Sequence, residues 1–376
     1  MCIHRYTILV VPKVKQRIVK GNGEGVMLVM VPLRIEKGSS RYDAMIGVGG
    51  IGSGSFFQLK GNHTLGREES RSGRFLKRND YCKLHIVSHY VKTLLGPDFE
   101  TIPVGKVGDD DVGRRLYEEM RDAGLDTRYV EISEGKQTLF SFCFIYPDRS
   151  GGNLTTADSA CSKVTPDYVQ KAEGELRRHG RRGIALAVPE VGLAARRILL
   201  ELGTRHELFC VASFSSGEIE KAKELGFIPL VDLLALNLDE ARMAGGIEGE
   251  QSTAEEVVEQ SVEVLTAKSP KMFIAVTAGR KGSWAWDGKR INYCVAPRTE
   301  AISTAGAGDA FLAGILCGLT AGLSLHLAQE LGTLVGALSV CSPHTIHKGI
   351  DRSLLHRFSK ESEMDLSEEV ERLLEP

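Results

Sequence analysis

The chain has 376 residues, enough for one large α/β domain or two smaller ones with a substantial buried core. Its hydrophobic content of 42%, charged content of 26% and formal net charge of −2 are ordinary for a globular enzyme. The absence of a basic excess argues against a nucleic-acid partner, and no apolar run reaches the roughly 18 residues of a membrane span. Eight scattered cysteines without zinc-site spacing indicate reduced thiols and a cytoplasmic location.

The first 44 residues differ in character from the rest of the chain. They carry eight lysines or arginines against three acidic residues, and they lack the single long apolar core of a secretory signal. We therefore predict that residues 1–44 are an extension outside the catalytic fold, and that Met45 opens the first strand.

From Met45 onward, short apolar strands alternate with helices. The predicted strands are 101–107, 137–146, 183–188, 208–212, 231–236, 273–277 and 283–286, and the predicted helices include 112–123, 193–202 and 310–319. This alternation predicts a mostly parallel sheet that is covered by helices on both faces. The region 353–376 is charged and is predicted to end in an amphipathic helix.

A glycine-rich segment at the end of the first strand matches the G-x-G-x-x-G dinucleotide fingerprint. The match spans Gly47 to Gly52, but the fingerprint requires a helix after its third glycine. Gly61-Asn62-His63 follows so soon that such a helix would be too short. The cluster is therefore better explained as backbone that approaches a ligand closely, and an NAD-dependent oxidoreductase is the weaker alternative.

Residues 303–309, Ser-Thr-Ala-Gly-Ala-Gly-Asp, lead directly into an apolar helix. Free backbone N–H groups and the helix dipole make a helix start a site for anions. Asp309 is suited to take a proton from a hydroxyl group that attacks a phosphate. The same residue could serve only as a helix cap, and the local pattern does not separate these readings.

Two further segments allow both a structural and a functional interpretation. Asn237 and Glu240 fit a capping box at a helix start, or a pair that holds Mg²⁺ through its waters. Thr277, Gly279 and Gly282 fit a tight turn between two strands, or a small hydroxyl group and bare backbone beside nucleotide phosphates.

Taken in order, these segments resemble the PfkB carbohydrate kinases, the ribokinase-like family. The ordered set is the Gly-rich first strand, Val-Gly-Lys-Val-Gly-Asp-Asp from Val104, Asn-x-x-Glu, Thr-x-Gly-x-x-Gly, and finally Thr304-Ala-Gly-Ala-Gly-Asp. The resemblance implies a three-layer α/β/α sandwich spanning 45–352, with a central mostly parallel sheet. It also implies a small β lid that includes about 135–157.

The resemblance also implies an ATP-dependent kinase that phosphorylates a hydroxyl group of a sugar or related polar metabolite. Asp309 would be the base, and the loop of Gly306, Ala307 and Gly308 would stabilise the transferring phosphoryl group. Thr277, Gly279, Gly282 and Thr304 would bind the nucleotide, and Asn237 and Glu240 would organise Mg²⁺. The expected partner is a small molecule, and a homodimer is left open.

The chain departs from the family pattern in its substrate-binding half. Ser303 stands where the last motif usually begins with Asp, which puts a monovalent-cation site in doubt. Where the family's sugar kinases usually carry an Asp after the first strand and a Gly-Gly…Asn segment before the next helix, this chain has Gly-Ile-Gly-Ser-Gly and a segment around Tyr81 to His89. A segment from Gly61 to Arg71 is inserted before the second of these. The predicted acceptor contacts are Gly49, Gly50, Asn62, His63, Arg67, Glu68, Arg71 and Asn153, although His63 and Arg71 have equally good structural explanations. A catalytically idle ligand-binding protein on the kinase scaffold is the second hypothesis.

Overall fold

The computed structural model describes residues 30–148, 151–249 and 251–376. Within these ranges, nine strands form one large sheet, namely β1 (Ala44–Val48), β4 (Glu100–Gly108), β5 (Val130–Ser133), β8 (Gly183–Ala187), β9 (Phe209–Ser213), β10 (Leu233–Asn237), β11 (Phe273–Thr277), β12 (Ser283–Trp286) and β13 (Ile291–Cys294). Their order across the sheet is β13-β12-β11-β10-β9-β8-β1-β4-β5. Every neighbouring pair from β11 to β5 is parallel, and β12 and β13 add an antiparallel edge.

Helices cover both faces of this sheet and give it three layers. Side chains alternate across β1, so that Met45 joins one hydrophobic core whereas Ile46 and Val48 join the other. The helices are α1 (Lys83–Leu95), α2 (Asp111–Asp122), α3 (Pro166–Gln170), α4 (Glu173–His179), α5 (Leu193–Arg205), α6 (Ile219–Glu224), α7 (Leu238–Ala244), α8 (Ala254–Thr266), α9 (Ala307–Thr320), α10 (Leu325–Ser339), α11 (Arg352–Glu361) and α12 (Glu368–Leu374). The predicted α/β/α sandwich with a mostly parallel sheet is confirmed.

A second, four-stranded sheet forms the lid, in the order β3-β2-β6-β7. Its strands are β2 (Gly52–Leu59), β3 (Gly73–Tyr81), β6 (Leu139–Ile145) and β7 (Gly151–Thr155). The lid is therefore wider than the predicted segment at 135–157, because β2 and β3 supply half of its strands. Since β2 begins at Gly52 with no intervening helix, the dinucleotide fingerprint is a strand-to-strand connection.

The buried helices α9 and α10 pack against each other through glycines. A Cβ atom added to Gly314 would lie 2.7 Å from the Cα atom of Gly332, and one added to Gly318 would lie 2.8 Å from Ala328. One added to Gly332 would lie 2.8 Å from the carbonyl oxygen of Phe311. The two helix backbones therefore come closer than larger residues would allow.

Both ends of the described chain pack onto the body. Leu33 and Tyr42 are 5% and 3% exposed, and the Arg34 N–H donates to the carbonyl oxygen of Leu373 at 2.9 Å. Residues 31–43 thus belong to the packed structure, although we predicted an extension outside the fold over residues 1–44. Residues 1–29 of that predicted extension lie outside the described residues. Leu373 and Leu374 of α12 are likewise buried. Within the described ranges, no helix is long and apolar enough to cross a membrane.

Candidate active site

The glycine loop and the start of α9 form the centre of the candidate site. Gly306 has a φ of +78°, and a Cβ atom there would come within 3.0 Å of the carbonyl oxygen of Thr345. This left-handed residue turns the chain directly into the helix. The Ala307 N–H donates to the Thr304 carbonyl oxygen at 3.3 Å, whereas the N–H groups of Gly308 and Asp309 have no hydrogen-bond acceptor among the described residues. Two free amides at a helix start are suited to bind an anion.

The carboxylate of Asp309 lies in the first turn of α9, beside an ammonium group. Asp309 is 9% exposed, and its Oδ1 atom lies 3.5 Å from the Nζ atom of Lys83. Burial raises the pKa of Asp309, and Lys83 opposes this shift. The attraction of Asp309, opposed by burial, raises the pKa of Lys83. The ammonium group therefore helps to keep a buried base ionised.

A second carboxylate, Glu190, approaches from the loop after β8. Its backbone has a φ of +78°, and its Oε2 atom accepts the Lys83 N–H at the start of α1 at 3.0 Å. Burial raises the pKa of Glu190 to about 7, against the lowering effect of Lys83. A non-glycine residue in the left-handed region costs conformational energy, which is typical of residues held in place at functional sites.

Asn237 and Glu240 form the capping box that the sequence allowed. The Asn237 Oδ1 atom accepts the Glu240 N–H, and the Glu240 Oε2 atom accepts the Asn237 N–H, both at 2.8 Å. The amide oxygen of Asn237 is therefore used within the helix start. The Oε1 atom of Glu240 has no hydrogen-bond partner among the described residues. Burial raises the pKa of Glu240, while Lys83 lowers it, which places this carboxylate within the field of the site.

The predicted nucleotide loop lies next to the glycine loop. Thr277 ends β11, and a Cβ atom added to Gly308 would lie 3.9 Å from its Oγ1 atom. Gly279 and Gly282 have φ values of +55° and +95°, as a tight turn requires. Thr304 is exposed just before the glycine loop. The structure therefore brings Thr277 and the loop at 306–308 together at one edge of the sheet.

One face of the lid carries a row of polar side chains. The Ser141 hydroxyl donates to the Oδ1 atom of Asn153 at 2.7 Å, and the Cys143 Sγ atom lies 3.7 Å from the Oδ2 atom of Asp80. Asp80 is 7% exposed near the end of β3. Burial raises the pKa of Asp80, hydrogen bonds from Ser141, Cys143 and the backbone of Tyr81 lower it, and the negative charge of Asp309 raises it. The charges of Asp80, near the end of β3, and Asp309, in the first turn of α9, therefore influence each other.

The other predicted acceptor residues divide into two groups. Gly49 and Gly50 follow β1, and side chains added there would overlap Val188 and Glu190 respectively. The remaining five lie in the loop between β2 and β3 and have no hydrogen bond or ion pair to Asp309, Lys83 or Glu190 among the described residues; they are Asn62, His63, Arg67, Glu68 and Arg71.

That loop is held together by its own contacts. The Arg71 guanidinium donates to Glu69 at 2.6 Å and to the His63 carbonyl oxygen at 2.6 Å. The His63 ring lies 3.0 Å from Glu69, and Asn62 accepts the Asp148 N–H at 3.0 Å. The structural explanation that the sequence left open for His63 and Arg71 is therefore present.

Three charged residues of the site were not predicted, namely Asp80, Lys83 and Glu190. Lys83 begins a helix whose sequence, with its histidines and tyrosine, lacks the family pattern. Glu190 could have been found from its place just after a buried strand, because the carboxyl ends of parallel strands meet at one edge of the sheet. Asp80 had no such signal, since β3 is interrupted by charged residues and was not predicted as a strand.

Comparison with known proteins agrees with this architecture. Residues 89–351 match the model of the pfkB family carbohydrate kinases. The chain is 27% identical over 238 residues to fructoselysine 6-kinase of Escherichia coli, covering 62% of this chain and 80% of that protein. It is 26% identical over 263 residues to an uncharacterized sugar kinase of Archaeoglobus fulgidus, covering 68% of this chain and 96% of that protein.

Solved structures share the fold at low sequence identity. Ribokinase from Giardia lamblia superposes with a TM-score of 0.70 at 18% identity, over 84% of this chain and 99% of that one. Ribokinase from Cryptococcus neoformans in complex with ADP gives a TM-score of 0.68 at 18% identity, over 85% and 99%. With its ribokinase-like sandwich, its lid and a family match over most of its length, the chain belongs to the pfkB family of carbohydrate kinases, which are ATP-dependent phosphotransferases.

Proposed function

We propose that this protein transfers the γ-phosphate of ATP to a hydroxyl group of a sugar or related polar metabolite, with Asp309 as the base. The observation that carries the proposal is the position of Asp309. Its carboxylate lies in the first turn of α9, directly beside the free amides of Gly308 and Asp309. A base and an anion site are thus adjacent, as an attack of a hydroxyl group on a phosphate requires.

In the proposed step, the Asp309 carboxylate takes the proton from the acceptor hydroxyl group. The oxygen then forms a bond to the γ-phosphorus atom, and the bond between that phosphorus and the bridging oxygen breaks, which leaves ADP. The free amides of the glycine loop stabilise the negative charge on the transferring group. The hydroxyl group of Thr277 and the turn at Gly279 and Gly282 lie beside this loop, where they would bind the nucleotide. Thr304, which is exposed just before the glycine loop, would also contact the nucleotide.

Glu240 fits a role in binding Mg²⁺ through water molecules. Its Oε2 atom is held by the Asn237 N–H, and its Oε1 atom has no hydrogen-bond partner among the described residues. Asn237 would then position Glu240 and would not bind the ion directly. When bound, Mg²⁺ would neutralise charge on the phosphates, and it prefers a site with few carboxylates and several waters.

The proposal is tested by replacing Asp309 with Asn. We expect D309N to retain ATP binding, measured as a rise in melting temperature with ATP, and to lose about 10²–10⁴-fold in ADP release with an acceptor, the usual contribution of a general base. The acceptor is found in an ADP-release screen of sugars, nucleosides and polyols. Relatives named as fructoselysine and sugar kinases make sugars the first choice.

A matched control is D111N, which changes an exposed Asp in the first turn of another helix, α2. This variant should keep wild-type turnover. Unchanged turnover in D309N would reject Asp309 as the base. Absence of ADP release from the wild-type protein across the whole panel would favour the idle ligand-binding protein.

A further inference from the structure

Tyr90 is a fully buried tyrosine on α1 whose hydroxyl group is hydrogen-bonded to the backbone of one short segment. The hydroxyl oxygen accepts the His347 N–H at 2.7 Å, and the hydroxyl group donates to the Thr345 carbonyl oxygen at 3.4 Å. A buried hydroxyl group is costly unless it is hydrogen-bonded, and here both its donor and its acceptor function are used. One side chain of α1 therefore holds both ends of the segment 345–347.

The segment that Tyr90 holds lies directly against the glycine loop. A Cβ atom added to Gly306 would lie 3.0 Å from the Thr345 carbonyl oxygen and 3.3 Å from the Cδ1 atom of Ile86, which precedes Tyr90 by one turn of α1. Gly306 has a φ of +78° and turns the chain into α9, where the two free amides of the loop follow. The position of the Thr345 carbonyl oxygen therefore limits where the glycine loop can lie.

The other hydrogen bonds of Thr345 go to the lid. Its N–H donates to the Asn79 carbonyl oxygen at 3.1 Å, and its Oγ1 atom accepts the Tyr81 N–H at 2.8 Å, both on β3. Among the described residues, the Tyr90 hydroxyl group is the hydrogen-bond partner of Thr345 that belongs to the body of the protein. Without that hydroxyl group, Thr345 would be held by hydrogen bonds to the lid alone.

We propose that Tyr90 is a positioning residue of the phosphoryl transfer, because its hydroxyl group fixes the Thr345 backbone against which the Gly306 turn packs. The inference rests on the proposed kinase function, since it concerns the anion site of that reaction. Donors that are already in place stabilise the charge on the transferring group best, and the residues behind them determine that placement. A displaced loop would still bind the substrates but would stabilise the transition state less.

The test compares the Y90F and Y168F variants, each of which keeps the ring and removes one hydroxyl group. Tyr168 is the matched control, because it is 8% exposed and its hydroxyl group donates to the Tyr129 carbonyl oxygen at 3.1 Å, away from the glycine loop. With the acceptor found in the ADP-release screen, we expect Y90F to lower kcat about ten-fold and to change the acceptor KM and the ATP affinity by less than about two-fold. Y168F should keep the wild-type kcat.

Amide hydrogen exchange gives a second readout that does not depend on turnover. The Ala310 N–H donates to the Gly306 carbonyl oxygen at 2.9 Å, so its exchange rate reports on the turn at Gly306. We expect exchange at Ala310 to be faster in Y90F than in the wild-type protein and to be unchanged in Y168F.

The outcomes separate this inference from the kinase function itself. Equal kcat values of Y90F and Y168F, or a loss that appears only in KM, would overturn the positioning role while the kinase function stands. If the wild-type protein phosphorylates no acceptor, the kinase function is wrong, and exchange at Ala310 alone decides whether Tyr90 places the loop. Unchanged exchange at Ala310 in Y90F would overturn that placement in either case.

Discussion

Lys83 controls the charge of Asp309, and this effect can be measured through pH. Burial raises the pKa of Asp309 and the Lys83 ammonium group lowers it. In K83M only the burial remains, so the pKa of Asp309 should rise further. Because the base acts when deprotonated, the acidic limb of the kcat/KM profile should move to higher pH, measured from about pH 5 to pH 9. K83R, which retains the positive charge, is the control, and an unmoved limb in K83M would contradict the assignment.

For single residues, the sequence predicts a role when the residues that share this role are neighbours in the chain. Asp309 and its glycines are contiguous, and Asn237 and Glu240 are one helical turn apart, so their patterns are visible without a structure. The pairing of Lys83 with Asp309 joins residues that are distant in the chain, and no local pattern reports it. Two of the predicted acceptor residues, His63 and Arg71, have polar side chains that form hydrogen bonds within their own loop, which composition could not distinguish from ligand contacts.

Among the elements, the α9–α10 pair depends on small residues at its contact. A Cβ atom on Gly332 would approach the Phe311 carbonyl oxygen to 2.8 Å, where neither backbone can move without disturbing its own helix. We expect G332A to cost about 1–3 kcal/mol of unfolding free energy, the usual penalty of overpacking, measured by urea denaturation. In G174A, where a Cβ atom in α4 meets nothing within 4 Å, the higher helix propensity of Ala should raise stability slightly. Equal effects of the two variants would show that the helix contact is not limiting.

The elements that the sequence predicted well are those with a continuous apolar pattern. The strands predicted at 273–277 and 283–286 coincide with β11 and β12. By contrast, β2 and β3 were missed because glycines and serines open β2, and lysines and arginines interrupt β3. Such strands form because partner strands supply their hydrogen bonds, and this tertiary contribution has no sequence period.

For the molecule as a whole, Thr345 connects the lid to the glycine loop. Its Oγ1 atom accepts the Tyr81 N–H of β3 at 2.8 Å, and its N–H donates to the Asn79 carbonyl oxygen at 3.1 Å. Its carbonyl oxygen lies against Gly306. In T345V the buried Tyr81 N–H loses its acceptor, so the lid should close less firmly, and the acceptor KM should rise several-fold while ATP affinity changes little. T266V removes a hydroxyl group within α8 and serves as the control. An equal loss of ATP affinity would contradict this role.

The chain order of the lid strands also determines when the lid can form during synthesis. β2 pairs in parallel with β6, which begins at Leu139, long after β2 ends at Leu59. Until β6 has left the ribosome, the β2–β3 hairpin presents one unpaired edge that carries Phe56 and Phe57. β1, which leads directly into β2, meets its neighbour β8 even later. Premature termination in this interval would leave an exposed aromatic edge, so the nascent chain is prone to aggregation until Leu139–Ile145 has been made and has left the ribosome.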